Sequence, residues 1–149
     1  MHPFDIKAAL LAKHAQHVVL IHFPIALFIA GVVFDFLAHW TKRQFLAAAA
    51  YCNLLAAAVV TVPVLITGIL AWQWQLEGQR LKGVLLLHPV LGCASALLVW
   101  IVCLVHVRAQ RKQGGVLPSY RLPVEAVAVV LVTLTGHLGG FLSGVNVSS

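Results

Sequence analysis

Eight histidines stand in a chain of 149 residues of which only 9% are charged. An ionisable side chain at membrane depth is a functional hypothesis by default, and a neutral imidazole is the commonest metal ligand. His22 and His88 each fall about one turn inside the start of an apolar run, and His137 about one turn before the end of another. Three imidazoles at one level on three helices could converge, because facing side chains in a bundle core are how such folds build cofactor sites. Two of them on opposite sides of a macrocycle would ligate a haem b, the non-covalent kind. His22 and His88 are the first axial pair, His137 the alternative ligand and His17 a nearby supporting or surface group. Gly136, Gly139 and Gly140 surround His137, and Gly92 lies one turn from His88, so these glycines would make room for the macrocycle. Arg80 and Lys82 would pair with its propionates. The same three histidines could instead hold copper or zinc through three nitrogens with one open position.

Each of these residues also has a purely structural reading. His22 and His88 lie shortly before Pro24 and Pro89, where a polar side chain can cap the free amides of a helix start. Gly136, Gly140 and Gly144 make two consecutive Gly-x-x-x-Gly steps, which serve helix packing. A third reading follows, a non-catalytic anchor or assembly subunit whose fourth helix docks on a partner or on a second copy.

A second polar level gathers Asp35, His39, His106 and Glu125, with Arg108 close by. Asp35 and His39 share a helix face, and His106 points the same way as His88 because eighteen residues make about five turns. A second haem between His39 and His106, or a proton or quinone site using Asp35, is the functional expectation. Against it, His39 is rotated by about 100° from His22, and residues at helix ends snorkel to the interface and pair with loop charges.

What must position these groups is set by composition. With 61% hydrophobic residues, the chain cannot hide its apolar surface in a water-soluble fold. No Asp, Glu, Lys or Arg occurs in residues 14–34, 44–76, 83–107 or 126–149, and each stretch can cross a hydrocarbon core about 30 Å thick. The expected fold is an all-α, integral membrane, antiparallel four-helix bundle with spans of Val18 to Leu37, Phe45 to Ala71, Val84 to Val107 and Pro123 to Leu142. Residues 1–17 form an N-terminal arm or interfacial helix, and 18–149 the membrane domain. No small-x-small cleavage site follows the first span, which is expected to stay in place. The second run, with Pro63 inside it, should tilt, kink or extend beyond the hydrocarbon. Alanine clusters at 47–50 and 56–58 allow close helix approach.

The ten Lys and Arg lie in short connections, the pattern of membrane anchors and not of a nucleic-acid surface. Loops one and three carry Lys42, Arg43, Arg108, Arg111, Lys112 and Arg121, against Lys7, Lys13, Arg80 and Lys82 elsewhere. The positive-inside rule then puts both termini on the outer side. Cys52, Cys93 and Cys103 form no Cys-x-x-Cys or haem-attachment pattern. No internal repeat is strong enough to argue from, and no broken-helix site suggests transport. A nucleophile-base pair, paired catalytic carboxylates and a phosphate loop are missing, so turnover by this chain alone is not expected.

The run His17-Val-Val-Leu-Ile-His22-Phe-Pro24, then Asp35, Gly68, His88-Pro89 and Gly136-His137-Leu-Gly139-Gly140, resembles the small four-helix membrane family catalogued as domain of unknown function 2231. The resemblance covers roughly residues 15–147, and its two ends are its specific part. It implies a setting in respiratory electron transfer in a bacterial inner membrane, with an iron-sulfur or cytochrome c partner, because such domains occur alone or fused to those modules. The matching polar positions are His17, His22, Asp35, His88 and His137. Where the family ending carries a polar or charged residue and a Tyr, this chain has Phe141-Leu142-Ser143, which puts a docking role of those positions in doubt.

Overall fold

A computed structural model describes residues 15–75, 77–112 and 116–143. These form four helices, α1 (Ala15–Thr41), α2 (Gln44–Gln75), α3 (Val84–Arg111) and α4 (Arg121–Leu142), with no strand among the described residues. All four are long and apolar enough to cross a membrane. The protein is an all-α, antiparallel membrane bundle. α1 packs on α2 and α4, and α3 packs on the same two, so α1 and α3 lie across a diagonal. The α1–α2 and α3–α4 contacts are the more extensive ones. The bundle is therefore two hairpins laid against each other.

Helix ends follow the charges. α1 stops at Lys42-Arg43, where Lys42 takes a positive φ of 57° to reverse the chain. Trp72 Nε1 donates to the Gln79 carbonyl at 3.0 Å and folds the α2–α3 connection back. α1 absorbs Ala15, Gln16 and His17 from the expected arm, whose remaining residues 1–14 lie outside the described ones. Pro24, Pro63 and Pro89 all sit within helices, as membrane helices permit when neighbours satisfy the freed carbonyls. His22 lies two turns into α1 and His88 follows Gly83, which caps α3 without any side chain, so neither histidine caps a helix.

Small residues bring α1 and α2 together. Ala50, Ala57 and Ala58 are fully buried, and a Cβ on Gly31 would lie 2.9 Å from the Leu54 side chain and 3.2 Å from its backbone nitrogen. Without a hydrophobic force between helices in lipid, this close van der Waals fit is what holds them.

The interior repeats with an offset of 71 residues. Pro24, Phe28, Gly31, Val32 and Asp35 of α1 correspond to Ser95, Val99, Val102, Cys103 and His106 of α3, all buried. Ala50, Leu54, Ala57, Thr61 and Val64 of α2 correspond in the same way to Arg121, Glu125, Ala128, Val132 and Thr135 of α4. Ten of the eleven buried positions in the first hairpin thus have a buried counterpart in the second. The correspondence lies in burial and not in residue identity, so it adds to the sequence reading, in which no repeat is strong enough to argue from. α1 and α3 run the same way, as do α2 and α4.

Candidate functional site

The two hairpins carry one imidazole each at the same end of the bundle, and seat it in the same way. His17 on α1 places Nδ1 3.2 Å from Thr67 Oγ1 on α2. The Thr67 hydroxyl already donates to the Pro63 and Val64 carbonyls, at 2.9 and 3.0 Å. With its proton on those carbonyls the oxygen accepts from His17, the arrangement of the tautomer protonated at Nδ1. His88 on α3 donates from Nδ1 to the Thr135 carbonyl on α4 at 3.1 Å; a carbonyl has no proton to give, so the tautomer is the same. Each ring also rests on a glycine. A Cβ on Gly68 would lie 3.0 Å from His17 Cε1, and one on Gly139 3.2 Å from His88 Cε1. The separations His17 to Gly68 and His88 to Gly139 are both 51 residues.

All four helices thus build one pair. The ring centroids are 6.5 Å apart with planes at 83°. The carbonyl partner puts the His88 proton on Nδ1 and leaves Nε2 its lone pair; His17 protonated at Nδ1 would match it, the state of a ligating histidine whose other nitrogen is tied to an oxygen. Below His88, the Thr135 hydroxyl donates to the Leu131 carbonyl at 2.8 Å and accepts from Ser95 at 3.0 Å, which fixes the turn of α4 that holds the ring.

His22 and His137 do not join this pair. His22 is exposed and donates from Nδ1 to its own helix, at the Val18 carbonyl, 2.6 Å away. His137 is exposed and meets Phe141 of its own helix edge-on, at 4.9 Å between centroids. Among the described residues, His22, His88 and His137 form no group with ligand atoms in reach of one another. The reason is rotational. The inward stripe of α1 is His17, Pro24, Phe28, Gly31 and Asp35, and His22 lies about 140° from His17 around the axis. On α4, Thr135 faces in, and His137 is turned about 200° from it. Depth matched in the sequence; facing did not.

The glycines also act differently from the expectation of a slot. A Cβ on Gly92 would lie 3.7 Å from Thr135 Cγ2, and one on Gly136 3.3 Å from Ile25 Cδ1, so both space helices. Gly139 seats His88, and the Gly140 carbonyl accepts from the Ser143 hydroxyl at 3.0 Å. Arg80 and Lys82 are exposed on the α2–α3 connection, at the end where His88 lies.

At the opposite end is a buried polar cluster. Arg121 donates from Nε to Asp35 Oδ2 at 2.6 Å, from Nη2 to Asp35 Oδ1 at 3.4 Å and from Nη1 to the Pro118 carbonyl at 3.4 Å. His106 Nε2 lies 3.0 Å from Glu125 Oε1. Asp35, His106, Arg121 and Glu125 are 1%, 3%, 7% and 0% exposed. Arg121, expected among the loop cations, is turned inward; its spacing of four from Glu125 was the signal that both share one face. Asp35, His106 and Glu125 are buried and do not snorkel to the interface; Asp35 does pair with Arg121, one of the expected loop-three cations, while His106 pairs with Glu125. His39 is half-buried and Arg108 exposed, and neither belongs to the cluster. A haem between His39 and His106 therefore has no geometric support, since His106 is bonded to Glu125. Cys52, Cys93 and Cys103 are free thiols.

Residues 13–146 match the family model described as predicted membrane protein, DUF2231, and the chain belongs to that family. No curated protein and no solved structure matches the chain.

Proposed function

We propose that this member of the DUF2231 family is a membrane electron-transfer subunit holding a haem b between His17 and His88. The observation that carries it is the duplicated seat: one imidazole per hairpin, each with Nδ1 held by an oxygen of the neighbouring helix and each resting on a glycine. The two ring centroids lie 6.5 Å apart, and His17 and His88 are the residues that would hold the group, one from each hairpin. The seam between the hairpins is the looser packing direction and the place where a planar group would enter.

Bound there, the haem supplies a one-electron couple. The chain's own residues set its surroundings. Thr67 and the Thr135 carbonyl hold the rings in orientation and increase the basicity of Nε2. The apolar walls lower the local dielectric, one of the protein's means of setting a potential. With both termini outside, the pair lies near the outer face, where an iron-sulfur or c-type donor can reach it and pass electrons toward the quinone pool. Arg80 and Lys82 would meet the propionates at that mouth. With Arg121 buried, that orientation rests on five loop cations against four.

The glycine packing favours one second reading, an ion without a macrocycle, copper or zinc, between the same two Nε2 atoms. The visible spectrum of the purified, reduced protein tests the first reading. An α band should be present, lost in His17→Ala and in His88→Ala, and retained in His22→Ala and His137→Ala. Folded full-length protein that shows no α band after loading with haemin overturns it; copper or zinc without iron on elemental analysis supports the second.

A further inference from the structure

The cluster at the other end of the bundle belongs to one hairpin more than to the repeat. The counterparts of Arg121 and Glu125 in the first hairpin are Ala50 and Leu54, both apolar and buried. Charged groups within the membrane are expensive, and those found there are functional by default. Arg121 and Asp35 neutralise each other through two hydrogen bonds. That leaves His106 and Glu125, whose Oε1 is bonded while Oε2 is buried and meets no partner among the described residues. An unpaired carboxylate in a dry interior is too costly to persist.

We propose that His106 and Glu125 form a buried proton-binding site, with one exchangeable proton shared by the pair and Glu125 Oε2 as its open position. The charge count selects the proton over a metal ion. Two carboxylates, one guanidinium and a neutral imidazole sum to one negative charge, which a single proton cancels. A divalent cation would leave a net positive charge in low dielectric beside Arg121, and it would have to take Asp35 from the guanidinium. One ligand atom each from Asp35, His106 and Glu125 lie within 4.8 Å of one another, so the metal is the rival to be tested. The ionisable groups acting on Glu125 are Asp35 from α1, His106 from α3 and Arg121 from α4; α2 brings none.

The proton is exchanged with the α3–α4 loop side. Toward the imidazole pair, Ala96, Val99, Val102, Cys103, Ala128 and Val132 are all buried and separate this cluster from Ser95 and Thr135. No chain of hydrogen bonds among the described residues crosses that stretch. The inference therefore stands apart from the metal centre and survives its failure.

Infrared difference spectra of the full-length protein in lipid vesicles, acid minus alkaline, test it. The expected result is the carbonyl stretch of a protonated carboxylic acid that shifts down in heavy water, disappears in Glu125→Gln and persists in Glu77→Gln. Should Glu125→Gln lose its helical circular dichroism, Glu125→Asp keeps the acid and should shift the band. A titrating band unchanged by either variant, or no such band at any pH, overturns the proposal. So does a stoichiometric metal ion in the wild type that Glu125→Gln loses.

Discussion

Replacing Arg121 by Met should unfold far more of the bundle than the loss of one surface cation would. Asp35 is 1% exposed and receives hydrogen bonds from Nε at 2.6 Å and Nη2 at 3.4 Å. Removing one partner of a buried ion pair costs about 3–5 kcal/mol, because the other charge is left in low dielectric. Asp35→Leu should cost a similar amount, since the guanidinium then keeps only the Pro118 carbonyl at 3.4 Å. In Asp35→Leu/Arg121→Met both charges are gone and apolar side chains fill the space, a change that is often neutral or stabilising by about 1–4 kcal/mol. The double variant should therefore be more stable than either single one, with a coupling energy of about 6 kcal/mol or more, beyond the usual range of about 0.5–3 kcal/mol for contacting residues. Reversible unfolding in mixed micelles with increasing denaturing detergent, followed by circular dichroism, gives all four corners of the cycle. If the two single losses simply add in the double variant, or if each single loss is below about 1 kcal/mol, the pair is not the buried, mutually dependent unit described here.

Thr67→Val keeps volume but removes the acceptor of the His17 Nδ1 proton; metal or haem affinity should fall about 10–100-fold, and a titration with unchanged affinity rejects the seat. Gly31→Ala places a methyl 2.9 Å from Leu54 and should destabilise the α1–α2 hairpin by about 1–3 kcal/mol; Leu54→Ala in the same background should recover part of that loss in the detergent assay. Ser95→Ala removes a buried hydrogen bond to Thr135, and unfolding should show a loss of about 1 kcal/mol.

Much of the molecule was legible before any coordinates. The four charge-free stretches fixed the number of spans, whereas the 71-residue offset shows only in the burial of the folded chain. The polar levels at the two ends could also be read, since depth along a helix is counted directly in residues. Facing could not be read in the same way. His22 and His137 share the depth of His88 but point outward, while His17, one and a half turns from His22, points in. In a soluble helix the polar face marks the outside, but here lipid makes both faces apolar and removes that marker.

The chain's composition and spacing determined that it spans a membrane four times and concentrates imidazoles at one end. Tertiary structure decided which imidazoles meet, that Arg121 turns inward to Asp35, and that Glu125 keeps one oxygen open. Those outcomes depend on how helices rotate about their axes when packed, and rotation is set by small residues such as Gly31, Gly68 and Gly139 fitting specific neighbours. Such fits are pairwise contacts between segments distant in the chain, and no local pattern encodes them.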